Sequence, residues 1–152
     1  MTATLHLMVG LPGSGKTTEA RRIAAETGAI RFTPDDWHLA LFGDDLADPD
    51  HDRRHTVIED LIWTLANDLL RRGLDVILDF GLWSRAERDL YRERGRQAGA
   101  NVVTHFLDPP LAALLERVAA RNALRGDPGF QISADHLVIW SARFEPRGPD
   151  ER

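Results

Sequence analysis

Residues 10–17, Gly-Leu-Pro-Gly-Ser-Gly-Lys-Thr, fit the pattern G-x-x-x-x-G-K-[ST]. The chemistry such a stretch can do is to cradle phosphates. Glycines at 10, 13 and 15 let the backbone curl, so that successive N–H groups turn inward as an anion nest behind which a helix begins. Lys16 is expected on the β- and γ-phosphates, and the Thr17 hydroxyl in the shell of a Mg²⁺ ion. Gly10, Gly13, Ser14, Gly15, Lys16, Thr17 and Thr18 are therefore the expected nucleotide-binding residues. Lys16 is also the only lysine in a chain whose other non-histidine cations are all arginine. A compact ammonium stands where a phosphate needs one.

Other residues suit the far side of a phosphate. Asp35 and Asp36 follow a short apolar stretch; either could take a proton from a hydroxyl or hold water or metal, or could cap a helix. Asp79 closes the run Val-Ile-Leu-Asp, where an aspartate meets Mg²⁺ through water or makes a turn. Arg117, Arg121 and Arg125 recur every four residues, so on a continuing helix they would share a face and could hold triphosphate oxygens, though Arg117 could instead pair with Glu116. Trp37 and Trp83 could pack on a ring of the acceptor. His51 and His55 stand one helical turn apart, but without a visible third ligand they read as a solvated helix start.

These groups need elements to hold them. Leu5–Val9 reads as a buried first strand, followed by a helix to Thr27 that Gly28 stops. Strands are expected at Ile30–Thr33, Leu74–Asp79 and Val102–Leu107. Between them fall a short helix at Trp37–Phe42 and a long one at Arg53–Arg72 with Val57, Ile58, Leu61, Ile62, Leu65 and Leu69 on its apolar face. Ser84 and Glu87 form a capping box for the next helix. A helix opened by Pro109-Pro110, a segment over 121–132 read as a lid, a last helix from Ser133 and a polar tail from Glu145 complete the chain. Alternating strands and helices predict one α/β domain with a parallel sheet, and put the Gly10 loop, Asp35/Asp36 and Asp79 at carboxyl ends of strands in one crevice.

Composition narrows the classes. At 152 residues, 43% apolar and 28% charged, the chain has the make-up of a soluble globular domain. It has no apolar run of membrane-span length and no room for a signal peptide before the first strand. Without cysteine, disulfides and thiolate metal sites are excluded, which fits a cytoplasmic setting. The net charge of −5 argues against a large nucleic-acid footprint.

With those residues assembled, the chain resembles, over nearly its whole length, the P-loop kinase group that includes 5′-polynucleotide kinase, chloramphenicol phosphotransferase and the zeta toxins. The likeness rests on the Gly10–Thr17 loop, on Asp35-Asp36, on Asp79 and on Arg121-Asn122 with Arg125-Gly126. Asp79–Arg88 also resembles small bacterial ATP-binding proteins of this group. The resemblance implies a P-loop NTPase fold with strand order 2-3-1-4, ATP and Mg²⁺ as cofactors, Asp35 as general base, and Lys16, Arg121 and Arg125 on the transferring phosphate. His38 stands where polynucleotide kinases carry a phosphate-gripping arginine. The expected acceptor is therefore a small-molecule alcohol met by Asp35, Asp36, Trp37, His38, Asp79 and Trp83. A 5′-hydroxyl polynucleotide kinase and an ATP-hydrolysing switch are the alternatives.

Overall fold

The computed structural model describes residues 2–124 and 129–151. Four strands form one parallel sheet in the order β2-β3-β1-β4: β1 (Thr4–Val9), β2 (Ile30–Phe32), β3 (Val76–Gly81) and β4 (Asn101–Phe106). Among the described residues, α1 (Lys16–Thr27), α2 (Pro34–Phe42), α3 (His51–Arg71) and α4 (Arg85–Gln97) connect them, and α5 (Leu111–Ala123) and α6 (Ala134–Arg143) follow β4. The order and the parallel pairing are those expected from the sequence. None of the described helices is long and apolar enough to cross a membrane.

The two-residue alternation of β1 and β3 decides which side of the sheet each helix covers. Met8 and Ile77 point to one side and pack with Ala20, Ile23 and Ala29 around α1. Leu5, Leu7, Val9, Val76 and Leu78 point to the other, where Ile58, Ile62, Ala66 and Leu70 of α3 join them with Tyr91, Leu114 and Leu137. With both faces covered, β1 reads as a nearly unbroken apolar run.

Three local readings are corrected. The face α3 presents to the core is Ile58, Ile62, Ala66 and Leu70, whereas Val57, Leu61 and Leu65 are about half exposed. Asp35 and Asp36 lie inside the first turn of α2, because Pro34 is tolerated at a helix start and Thr33 takes the cap position. The polar tail is docked rather than free: Glu151 is 3% exposed, and its carboxylate accepts two hydrogen bonds from the fully buried Arg88, at 2.8 and 2.9 Å.

Candidate active site

The loop between β1 and α1 closes as a nest. Gly10 N–H donates to the Gly81 carbonyl (3.0 Å), and Ser14 N–H to that of Leu11 (3.1 Å). A Cβ at Gly10 would collide with Ser14 Oγ and lie 2.8 Å from the Leu107 carbonyl, so only glycine lets the strand end pass this close to β4's exit. Gly15, at φ 93°, turns the chain left-handed into Lys16, the first residue of α1. Arg117 Nη1 donates to the Gly13 carbonyl (3.1 Å), tying α5 to the loop. Ser14 Oγ is buried without a hydrogen-bond partner among the described residues.

Asp79 sits beneath the loop, 3% exposed. It lies inside β3, which continues to Gly81, rather than at the strand's end. Its Oδ2 accepts from the hydroxyls of Thr17 (2.7 Å) and Thr33 (3.1 Å). Among the described residues its Oδ1 has no hydrogen-bond partner, and it lies 3.9 Å from Lys16 Nζ. A buried carboxylate oxygen left open beside a hydroxyl and an ammonium is the oxygen-donor set a hard divalent cation takes, directly or through water. The expected pairing of Thr17 with Asp79 thus fits Mg²⁺.

Two hollows flank the loop. One, of about 500 Å³, is lined by Gly13, Thr17, Thr18, Leu107, Arg117 and Arg121. The other, about 640 Å³, is walled by Trp83, Trp140, Phe80, Glu59, Glu87 and His136 among others. Lys16, Asp35, Pro12, Phe130 and Ile132 belong to both. The Asp35 side chain is 53% exposed, and its Oδ1 lies 3.8 Å from His55 Nε2. Trp83 packs on Trp140 with ring centres 5.6 Å apart. Arg125, Gly126 and the rest of 125–128 lie outside the described residues, so the lid expected over 121–132 is seen only at its flanks. There, Asn122 Nδ2 donates to the Ile132 carbonyl (2.6 Å), and Gln131 N–H to Asp44 Oδ2 (3.0 Å).

Four residues expected against the acceptor line neither hollow: Asp79, buried beneath the loop, and His38, Trp37 and Asp36. His38 is fully buried, with Nε2 2.6 Å from Asp45 Oδ1 and Nδ1 3.1 Å from His55 Nδ1. Helical spacing puts Asp35 and His38 on neighbouring faces of α2, but α3 packs over the second and closes it off. Trp37 packs edge-on against Phe32, ring centres 6.2 Å apart. Asp36 points to Arg31, 3.7 Å away.

Residues 5–147 match the AAA_33 family, an AAA domain. The chain belongs to that family. Among solved structures, this AAA_33 chain is similar to a chain of the Pnkp1/Rnl/Hen1 RNA repair complex, 26% identical with a TM-score of 0.77. The likeness covers 93% of the present chain and 44% of that one, so the chain spans less than half its relative's length. Kti12 of Chaetomium thermophilum, solved with ADP-AlF3, shares 18% identity at a TM-score of 0.75, over 97% and 84% of the two chains. A sugar kinase from a Janibacter species shares 24% at 0.70, over 99% and 82%. No curated protein matches the chain. The fold is that of the small P-loop kinase-like proteins.

The larger hollow of this AAA_33 domain contains groups that sequence reading did not single out: Glu59, His136 and Arg143. Each comes from a helix whose pattern identifies it only as a polar or amphipathic position. Glu59 stands out electrostatically. Burial, reinforced by the charges of Glu87, Asp35 and Asp60, pushes its carboxyl from the ordinary 4.5 up to about 8. At neutral pH Glu59 is therefore protonated and offers an O–H donor to the hollow. A folded-state value raised above the unfolded one contributes stability that is complete below pH 4.5 and lost as pH rises to about 8. Urea midpoints should thus fall more steeply over that window in the wild type than in Glu59→Gln, whose amide does not titrate. Parallel pH profiles in the two proteins would refute the assignment.

Proposed function

We propose that this AAA_33 domain is an ATP-dependent phosphotransferase that moves the γ-phosphate to a hydroxyl of a small-molecule alcohol. The observation carrying this reading is that Lys16 and Asp35 are shared by the two hollows. A nucleotide laid along the loop-side hollow would bring its terminal phosphate to Lys16, and an acceptor in the aromatic hollow would bring its hydroxyl to Asp35. The Kti12 relative, solved with ADP-AlF3, supports a nucleotide on the loop side.

The chemistry then follows from positions. Phosphoryl transfer is mostly positioning and charge stabilisation. The loop N–H groups and Lys16 hold the phosphates, while Arg117 keeps the loop in shape through the Gly13 carbonyl. Arg121, lining the loop-side hollow, faces the same phosphates. Asp35 accepts the hydroxyl proton as the acceptor oxygen bonds to phosphorus and the β–γ bridging oxygen leaves on ADP. A Mg²⁺ ion held by Thr17 and Asp79 would supply further charge neutralisation on the phosphate oxygens.

The walls bear on the acceptor. Among the described residues, the carboxylates of Asp35, Asp52 and Glu87 line the hollow against Lys16 and Arg143, which disfavours a polyanion. Trp83 and Trp140 suit the apolar face of a ring. A small alcohol, uncharged or cationic, meets both conditions. Likeness to a chain of the RNA repair complex keeps 5′-hydroxyl oligonucleotides as the second reading. The test is acceptor-dependent transfer from γ-labelled ATP across a panel of alcohol antibiotics, sugars and 5′-hydroxyl oligonucleotides. Lys16→Ala should lower the transfer rate by about 10²–10³, the effect of losing one charge-stabilising donor. Full turnover in a folded Lys16→Ala protein, or ATP hydrolysis that no acceptor stimulates, would overturn the kinase reading.

A further inference from the structure

The third partner for His51 and His55 comes from another helix. His38 of α2, His51 and His55 of α3 each offer a ring nitrogen within 4.8 Å of the other two. Ring centres lie 4.4 Å apart for His38–His51, 5.2 Å for His38–His55 and 5.8 Å for His51–His55. We propose that His38, His51 and His55 form a three-histidine binding site for a divalent transition-metal ion of the zinc class, separate from the phosphate loop and its Mg²⁺.

The carboxylates that the outer nitrogens face choose the ligand atoms. Asp45 Oδ1 accepts from both His38 Nε2 and His51 Nδ1, each at 2.6 Å. His55 Nε2 faces Asp35 Oδ1 at 3.8 Å. His38 and His51 are thus each hydrogen-bonded through one nitrogen to a carboxylate, the arrangement that fixes a ligating histidine's tautomer and orientation, while His55 turns Nε2 toward Asp35 beyond hydrogen-bond distance. His38 Nδ1, His55 Nδ1 and His51 Nε2 remain for the ion. The first two are 3.1 Å apart. Two nitrogens on a tetrahedral zinc, at about 2.0–2.1 Å, sit about 3.3 Å from one another, so the pair is already close to its ligating separation.

The surroundings agree with this assignment. Arg54 Nη1 holds the other Asp45 oxygen (2.9 Å), which keeps Oδ1 turned to the histidines. Phe130 meets His38 and His51 edge-on, each at 5.4 Å, and Phe42 meets His38 at 5.5 Å, giving the site an apolar jacket. His51 and His55 line the larger hollow while His38 closes the back. Three protein ligands with the fourth position toward a cavity is the open type of site. An all-imidazole set suits zinc, cobalt, nickel or copper rather than magnesium or calcium. The other close pair, His6 and His105 (3.0 Å), offers two donors only.

Chelator-treated wild-type protein should bind one Co²⁺ with the visible bands of a four-coordinate ion, and Zn²⁺ should displace it. In long-range ¹H–¹⁵N spectra, Zn²⁺ should shift Nδ1 of His38 and His55 and Nε2 of His51, leaving His6, His105 and His136 in place. His51→Gln and His55→Gln avoid the fully buried ring, and each should abolish the cobalt bands. Asp45→Asn should weaken binding by about 10–100-fold, as loss of an orienting carboxylate does. Failure to bind Co²⁺ or Zn²⁺, shifts confined to His6 and His105, or unchanged affinity in both glutamine variants would overturn the site. All these readouts are of binding, so they stand apart from whether the domain transfers phosphate.

Discussion

Asp35→Asn is expected to lower turnover by about 10²–10⁴-fold, the range general-base catalysis contributes, while leaving nucleotide binding nearly unchanged. Asparagine keeps the shape of the side chain and its place in the first turn of α2, but its amide cannot take the acceptor's proton. Loss of the carboxylate there also removes a favourable charge at the helix start, worth about 0.3–1 kcal/mol of stability, too little to unfold the domain. Asp36→Asn is the matched control, because Asp36 points to Arg31 and lines neither hollow. Single-turnover transfer with saturating acceptor would separate the two. A large loss in Asp36→Asn with normal rates in Asp35→Asn would reverse the assignment, and normal rates in both would remove the base.

Glu151→Ala should destabilise the protein by about 3–5 kcal/mol, the cost of leaving a buried charge without its partner. Arg88 is fully buried, and its Nε and Nη2 meet both Glu151 oxygens; Arg92 Nη2 adds a third donor at 2.6 Å and Gly148 N–H a fourth at 2.8 Å. The Arg88 hydrogen bond, joined by that of Gly148, holds the Glu151 carboxyl down at about 2 despite its burial. Because the folded value is depressed below the unfolded 4.5, this contribution is present above pH 4.5 and lost as pH falls toward 2. The neighbouring Arg85–Asp150 pair is exposed, and Asp150→Ala should cost less than about 1 kcal/mol. Urea denaturation of both variants tests the contrast; equal losses would sink it. The effect should reach the hollow as well. Arg88 Nη1 donates to the carbonyls of Leu82 (3.2 Å) and Trp83 (3.1 Å), and Glu145 N–H also binds Trp83 (2.8 Å). The docked tail thus pins the turn that presents Trp83, a turn in which Leu82 takes the left-handed φ of 47°.

What could be read from the sequence was local. The Gly10–Thr17 loop is legible because glycine spacing, a preceding apolar run and a following helix are all encoded within about 25 residues. The parallel sheet follows from alternation of strand and helix signals, and the approach of Asp79 to Lys16, and of Lys16 and Asp35 to the same hollows, follows from their places at or near the carboxyl ends of strands. The order 2-3-1-4 came with the family resemblance, and the pairing confirms it.

The rest was decided by which surfaces meet. Helix α3 carries apolar residues over a wide arc, so its own periodicity cannot say whether Val57, Leu61 and Leu65 or Ile58, Ile62, Ala66 and Leu70 reach the sheet; packing chose the second set. His38 and Asp35 share a helix and three-residue spacing, yet α3 covers one and leaves the other open. His51 and His55 gain a third imidazole 13 residues before the first of them, and Asp45 gains two imidazoles and a guanidinium, through contacts for which no local pattern exists. Glu151 reads as tail because the arginines that give it a reason to be buried stand 59 and 63 positions earlier. Backbone conformation is set largely by neighbours in the chain, whereas a buried polar side chain is set by its hydrogen-bond partners, and those are brought together only when the chain folds.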